Sequence, residues 1–154
     1  MLEYLLVQND NEYKAVIQLF KEYAAWLAVD LGFQHFDEEL ENLKTMYNDI
    51  DGGIILCKQN NEFIACVAIR KNVTGIAELK RMYVQPAYQQ KGIGEMLLQK
   101  AIALAKICKY SFIRLDTLDY MKPAIKLYTK NGFYTIPPYY NNPISTAVYF
   151  EKKL

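Results

Sequence analysis

The chain has 154 residues, enough for one domain spanning 1–154 that buries roughly two-thirds of its unfolded surface. With 52% hydrophobic residues, 23% charged residues and a formal net charge of +1, it is neither a disordered chain nor one biased toward nucleic acid or a membrane surface. No apolar run reaches the length of about eighteen residues that a membrane span needs, and Met1–Val7 carries no basic stretch or small-residue cleavage site, so a cytoplasmic location is expected. Cys57, Cys66 and Cys108 fall into no metal-ligand spacing and His35 is the only histidine, which speaks against a zinc site and against a histidine-dependent triad. No metal is expected, and the cysteines read as buried, reduced thiols.

Along the chain, Glu3–Gln8 reads as a strand, followed at Asn9 or Asp10 by a helix cap. Tyr13, Val16, Ile17, Phe20, Tyr23, Ala24 and Leu27 then recur at helical spacing. A second helix is expected after Asp37, carried by Leu40, Leu43, Met46 and Tyr47. Gly53–Gln59 and Glu62–Arg70 flank Asn60-Asn61, a two-residue hairpin signal, and would place Cys57 and Cys66 on one face. Ile76–Val84 is a further strand. Gly92 opens an amphipathic helix to about Cys108, Phe112–Asp116 is a short strand, and Met121–Lys130 is a helix stopped by Asn131-Gly132. Phe133–Ile136 and Thr146–Glu151 close the order as strands around the loop Pro137–Pro143. Strands and helices in this order imply an α/β protein with a mixed sheet and helices on both faces.

The richest stretch is Met82-Tyr83-Val84-Gln85-Pro86-Ala87-Tyr88-Gln89-Gln90-Lys91-Gly92-Ile93-Gly94. A strand feeds a short loop, and the loop feeds a helix whose start holds two glycines. Free N–H groups and the positive end of a helix dipole favour an anion there, and Lys91 adds a charge. A dinucleotide loop would need a third glycine where Leu97 stands, and a P-loop needs Gly-Lys-Ser/Thr, whereas here Lys91 precedes Gly92. The competing reading is a tight turn shaped by Gly92 and Gly94 with no ligand.

Gln89-x-x-Gly92-x-Gly94 after Val84 resembles the acyl-CoA motif of the GNAT superfamily of N-acetyltransferases, and Ala124-Ile125-Lys126-Leu127-Tyr128-Thr129-Lys130-Asn131-Gly132-Phe133 resembles its second motif. The resemblance covers nearly the whole chain and implies a mixed, mostly antiparallel central sheet. It implies acetyl-CoA as co-substrate, bound through Met82, Tyr83, Val84, Gln89, Gln90, Lys91, Gly92, Ile93, Gly94 and Glu95. Met121 stands where many members carry Asn, so a polar contact to the cofactor is missing or differently supplied.

Acetyl transfer to an amine needs a base for the amine and a proton for the departing thiolate. The resemblance implies Glu78 as the base, the alternative being a structural ion pair with Lys80 or Arg81. Strand alternation puts Glu78 on one face with Lys80, Met82 and Val84. Tyr128 matches the tyrosine implied as proton donor, its alternative being a core tyrosine. None of the cysteines neighbours a candidate base, which favours direct attack in a ternary complex. The acceptor side is expected among the aromatic segments that hold Trp26, Phe33, His35, Phe36, Tyr139 and Tyr140, with Gln34, Glu38, Glu39 and Asn142 as polar groups. Aromatic walls with a few carboxylates suit a small primary amine; packing alone would also explain them. An acetyltransferase acting on a protein lysine or N-terminus, and a non-catalytic acyl-CoA sensor, are the alternatives. A homodimer is compatible with the sequence.

Overall fold

A computed structural model describes all 154 residues. Seven strands form one sheet in the order β1-β2-β3-β4-β5-β7-β6, with β1 Leu2–Leu6, β2 Gly53–Gln59, β3 Glu62–Val73, β4 Ile76–Val84, β5 Phe112–Leu118, β6 Tyr134–Ile136 and β7 Ala147–Lys153. All neighbours are antiparallel except β4 and β5. Helices α1 Asp10–Leu27, α2 Phe36–Glu41 and α3 Leu43–Met46 lie along the chain before β2, α4 Ile93–Ile107 joins β4 to β5, and α5 Lys122–Lys130 follows β5.

Two apolar clusters lie on opposite faces of the sheet. Val16, Leu19 and Phe20 of α1 meet Leu43, Ile54, Leu56, Cys66, Ala68 and Tyr83. Ile93, Leu97, Leu98, Ala101 and Ala105 of α4 meet Ala65, Val67, Leu79, Ile113, Leu115, Tyr128 and Phe150. The entry to α1 is fixed by a reciprocal cap: Asn9 Oδ1 accepts the Glu12 N–H at 2.9 Å, and Glu12 Oε1 accepts the Asn9 N–H at 3.2 Å. The second expected helix is instead two short ones, broken at Asn42, whose φ of −127° and ψ of 30° leave the helical region.

Two irregularities in the sheet overturn expectations from simple alternation. Asn60 and Asn61 take the positive φ values of the expected hairpin turn, 50° and 63°. Yet Lys58 pairs with Phe63 and Cys57 with Ala65, so Ile64 is an extra residue. That single insertion moves Cys57 and Cys66 to opposite faces, Cys57 into the α4 cluster and Cys66 into the α1 cluster. In β4, Ala68 pairs with Lys80 but Cys66 with Tyr83, and Arg81 sits at φ 58°. The bulge breaks the expected shared face: Met82 and Val84 pack with the α4 cluster, whereas Glu78 and Lys80 line a cavity against Phe33, Glu39 and Tyr139.

The parallel pairing of β4 with β5 runs only from Ile76–Glu78 to Phe112–Arg114. Beyond it the two strands diverge. Residues 79–84 keep β3 on one side while residues 115–118 keep β7 on the other, and a wedge opens between them.

Candidate active site

A cleft of about 600 Å³ occupies this wedge. Its walls are Leu79–Val84 from β4, Asp116–Leu118 from β5, the Tyr88–Glu95 turn, one side of α5 and the end of α1. A second cavity of about 490 Å³ lies beside it, and Gln34 and Lys80 line both.

At one end of the cleft is the start of α4. The backbone N–H groups of Gln90 through Glu95 donate to no backbone carbonyl and no side chain caps the helix. Gly92 has φ 83°, a left-handed conformation that a side chain resists, and a Cβ there would meet nothing within 4 Å. Open space above a row of free N–H groups at a helix N-terminus suits a phosphate group. Gly94 is different: its Cβ would touch Leu127 and Val84 at ordinary distances of 3.8 and 4.0 Å. Gln89 secures the turn by donating from Nε2 to the Val84 carbonyl at 3.0 Å. Gln90 and Glu95 line the cleft, and the Glu95 carboxylate is engaged by Lys130 Nζ at 3.0 Å. Lys91 is exposed, its ammonium 5.7 Å from the Tyr88 ring centre, and the Ile93 side chain is buried in the core, so Ile93 offers the cleft its backbone only. Met82, Tyr83 and Val84 all line the cleft. Met121 does too, accepting from the Thr117 hydroxyl through its sulfur at 3.8 Å.

Tyr128 stands on the α5 wall. Its ring packs on Phe133 and Phe150, with centroids 5.7 and 6.2 Å away, and its hydroxyl has no hydrogen-bond partner in the protein. Burial, with Tyr23 and Asp116 nearby, pushes the phenol up, so it is protonated at neutral pH. The end of α5 is closed by the Phe133 N–H donating to the Tyr128 carbonyl at 3.1 Å, which fixes this residue's backbone.

Glu78 is placed differently from Tyr128. It lines the second cavity, not the wedge, and both its oxygens are engaged: Arg70 Nε donates to Oε1 at 2.9 Å and the Tyr139 hydroxyl to Oε2 at 2.7 Å. The ion-pair partner is thus Arg70, neither Lys80 nor Arg81. Burial alone would raise the Glu78 carboxyl, but Lys80, Arg70 and the Tyr139 bond outweigh it and hold it below the ordinary 4.5. Glu39 also lines the second cavity, but its carboxylate is fully engaged within the protein. It is buried in a bidentate pair with Arg81 at 2.7 and 3.1 Å and accepts from the Tyr47 hydroxyl at 2.8 Å.

Phe33, Tyr139 and Tyr140 come together around the second cavity. Tyr139 and Tyr140 pack at 5.5 Å between centroids, each against Tyr149. Tyr140 Oη donates to Asp116 Oδ2 at 2.7 Å and accepts from Gln34 Nε2 at 3.1 Å and Asn142 Nδ2 at 3.0 Å. Asp116 was not singled out from the sequence. Its signal was available in the alternation of Ile113 and Leu115, both core, with Arg114 and Asp116 on the other face of β5.

Comparison with known proteins agrees with this geometry. Residues 13–133 match the Acetyltransferase (GNAT) family. An uncharacterized N-acetyltransferase of Schizosaccharomyces pombe is 34% identical over 151 residues, covering 97% of this chain and 91% of the relative. In fold, an acetyltransferase of Streptococcus agalactiae superposes with a TM-score of 0.82 at 19% identity, covering 99% of this chain and 98% of its own. The PaiA N-acetyltransferase of Thermoplasma acidophilum, solved in complex with coenzyme A, superposes with a TM-score of 0.75 at 19% identity over 100% of this chain and 99% of its own. The chain belongs to the GNAT family. It is an acetyl-CoA-dependent N-acetyltransferase, and no helix in it is long and apolar enough to cross a membrane.

Proposed function

We propose that the enzyme acetylates a primary amine of a small molecule by direct attack on acetyl-CoA in a ternary complex. The observation that carries this reading is a single wedge with the free N–H groups at the start of α4 at one end and the polar groups of Gln34, Asp116 and Asn142 at the other, tied together by the Tyr140 hydroxyl from the neighbouring cavity. The diphosphate of acetyl-CoA sits at the free N–H groups of residues 90–95, and the pantetheine arm runs beside Met82–Val84. That places the thioester toward Tyr128.

In the reaction, the neutral amine nitrogen attacks the thioester carbon. A carbon–nitrogen bond forms, the carbon–sulfur bond breaks, the amine gives up a proton, and the thiolate takes one. Tyr128 supplies the latter from its otherwise unpartnered hydroxyl. Two carboxylates compete for the former. Glu78 has the expected place on β4, but both its oxygens are occupied and its carboxyl is depressed. Asp116 shares the cleft with Tyr128, and only its Oδ2 is engaged. The free Oδ1 makes Asp116 the better base, with Glu78 holding Tyr139 in place. A thiol-release assay with acetyl-CoA over small amines, polyamines and short peptides tests the reading. Turnover of peptides alone would assign the enzyme to protein acceptors, and saturable acetyl-CoA binding without any turnover would make it a sensor.

A further inference from the structure

Three polar groups on the acceptor side of the cleft lack a partner, and two of them are complementary to one kind of molecule. Lys80 is only 9% exposed, yet its ammonium makes no hydrogen bond and has no carboxylate within 4.0 Å, unlike Arg70, Arg81 and Arg114, each paired with a glutamate. Gln34 Oε1 also lacks a donor, but it is shut off from water and so from a ligand in the cleft. Its orientation follows from Tyr140, whose one proton goes to Asp116, so that the Gln34 group facing Tyr140 must be the donating Nε2. Asp116 Oδ1, third, is free. All three residues line the main cleft, and Tyr140 ties Gln34 to Asp116.

A buried, unpaired cation is costly, as is a buried acceptor without a donor. The other buried charges, Glu39 with Arg81 and Glu78 with Arg70, are satisfied internally. We propose that the acceptor is zwitterionic, an amine that carries its own carboxylate as a free amino acid does, held with its amine at Asp116 Oδ1 and its carboxylate at Lys80. This rests on the small-molecule reading above and narrows it. The free Asp116 oxygen faces the N–H bonds of the amine, and the unpaired Lys80 ammonium faces the anion. Lys80 is at the junction of the two cavities, so the carboxylate end of the substrate points from the wedge toward Arg70 and Tyr139.

The test compares free L-amino acids with their primary amides and with the decarboxylated amines, following thiol release from acetyl-CoA. The wild-type enzyme should prefer the free acids in kcat/KM by roughly tenfold or more, the scale of a charge-assisted hydrogen bond. Lys80→Met should collapse that ratio toward one, and Lys80→Arg should retain part of it. The folding check is thermal melting: Lys80→Met removes no hydrogen bond and no contact ion pair, only the longer-range charge that helps keep Glu78 ionised, so it should melt close to wild type. Amides and amines used as well as acids would overturn the zwitterion and leave the small-amine reading standing. An acid preference that survives Lys80→Met would also overturn it, as would equal losses on all three substrate types, which would place Lys80 at the reacting carbonyl instead. Turnover confined to peptides, or to no amine, would overturn both readings.

Discussion

Gly92 and Gly94 belong to one motif but are held by different constraints. At Gly92 the backbone conformation itself excludes most side chains, and the space beyond Cα is open. Gly92→Glu puts a carboxylate into that space, beside the N–H groups proposed to receive a diphosphate. We expect coenzyme A affinity to be lost by calorimetry, with a melting temperature lowered only by the left-handed strain of about 1–2 kcal/mol. Retained affinity would remove the phosphate site from this turn. Tyr128→Phe deletes a hydroxyl that bonds to nothing in the protein, so it should leave stability and acetyl-CoA affinity almost unchanged. Turnover should fall about a hundredfold, as loss of a general acid does; a loss under about threefold, with chemistry limiting, would leave Tyr128 a packing residue. For the base, Asp116→Asn and Glu78→Gln separate the candidates. Asp116→Asn should depress activity at neutral pH and recover in part toward the alkyl-amine pKa of about 10, where the substrate loses its own proton. Glu78→Gln should keep the wild-type pH profile and lose stability, because Arg70 is left unpaired. The opposite pattern would return the base role to Glu78.

The elements legible in the sequence were those whose cause is local. The Asn60-Asn61 turn, the Asn9 cap and the helix stop at Asn131-Gly132 each follow from side chains within a few residues, and the structure has all three. What alternation misplaced depended on the partner strand. Ile64 and Arg81 are inserted residues, and nothing local to either strand marks them as extra. The Arg81 bulge parted Met82 and Val84 from Glu78 and Lys80, and it buried Glu39 against Arg81, 42 residues away. That pair anchors α2 to the bulge and can be probed directly. Glu39→Ala leaves the Arg81 guanidinium buried beside Tyr23 and Phe36, a defect of about 3–5 kcal/mol by urea unfolding. The pH dependence has a definite sign. Burial raises the Glu39 carboxyl, but hydrogen bonds and charge from Arg81 pull it below 4.5 overall. A group depressed in the folded state contributes fully above its unfolded value, so this stability is present above pH 4.5 and fades as the pH falls through the lowered folded value. An unfolding free energy for Glu39→Ala within about 1 kcal/mol of wild type would mean that the guanidinium escapes to water.

Across the whole molecule, the proposed catalysis depends on a sheet that is incomplete at its centre. The parallel β4–β5 contact ends at Glu78 and Arg114, while both strands continue with their outer edges paired. The inner edges are left open toward one another, and an extended pantetheine arm can meet the β4 edge as an added strand would. The two clusters stabilise the faces independently of this gap, α4 and α5 on one side and α1 on the other. Filling it should therefore change protection locally. In hydrogen exchange, saturating coenzyme A should slow the free amides of residues 90–95, since these donate to nothing within the protein. Amides of Met82–Val84 directed into the wedge should slow as well. Those of the β1–β2 and β6–β7 pairs, already bonded at the sheet edges, should change little. Uniform slowing of the whole sheet would instead show that the wedge closes by a global rearrangement on binding, and absence of slowing at 90–95 would place the diphosphate elsewhere.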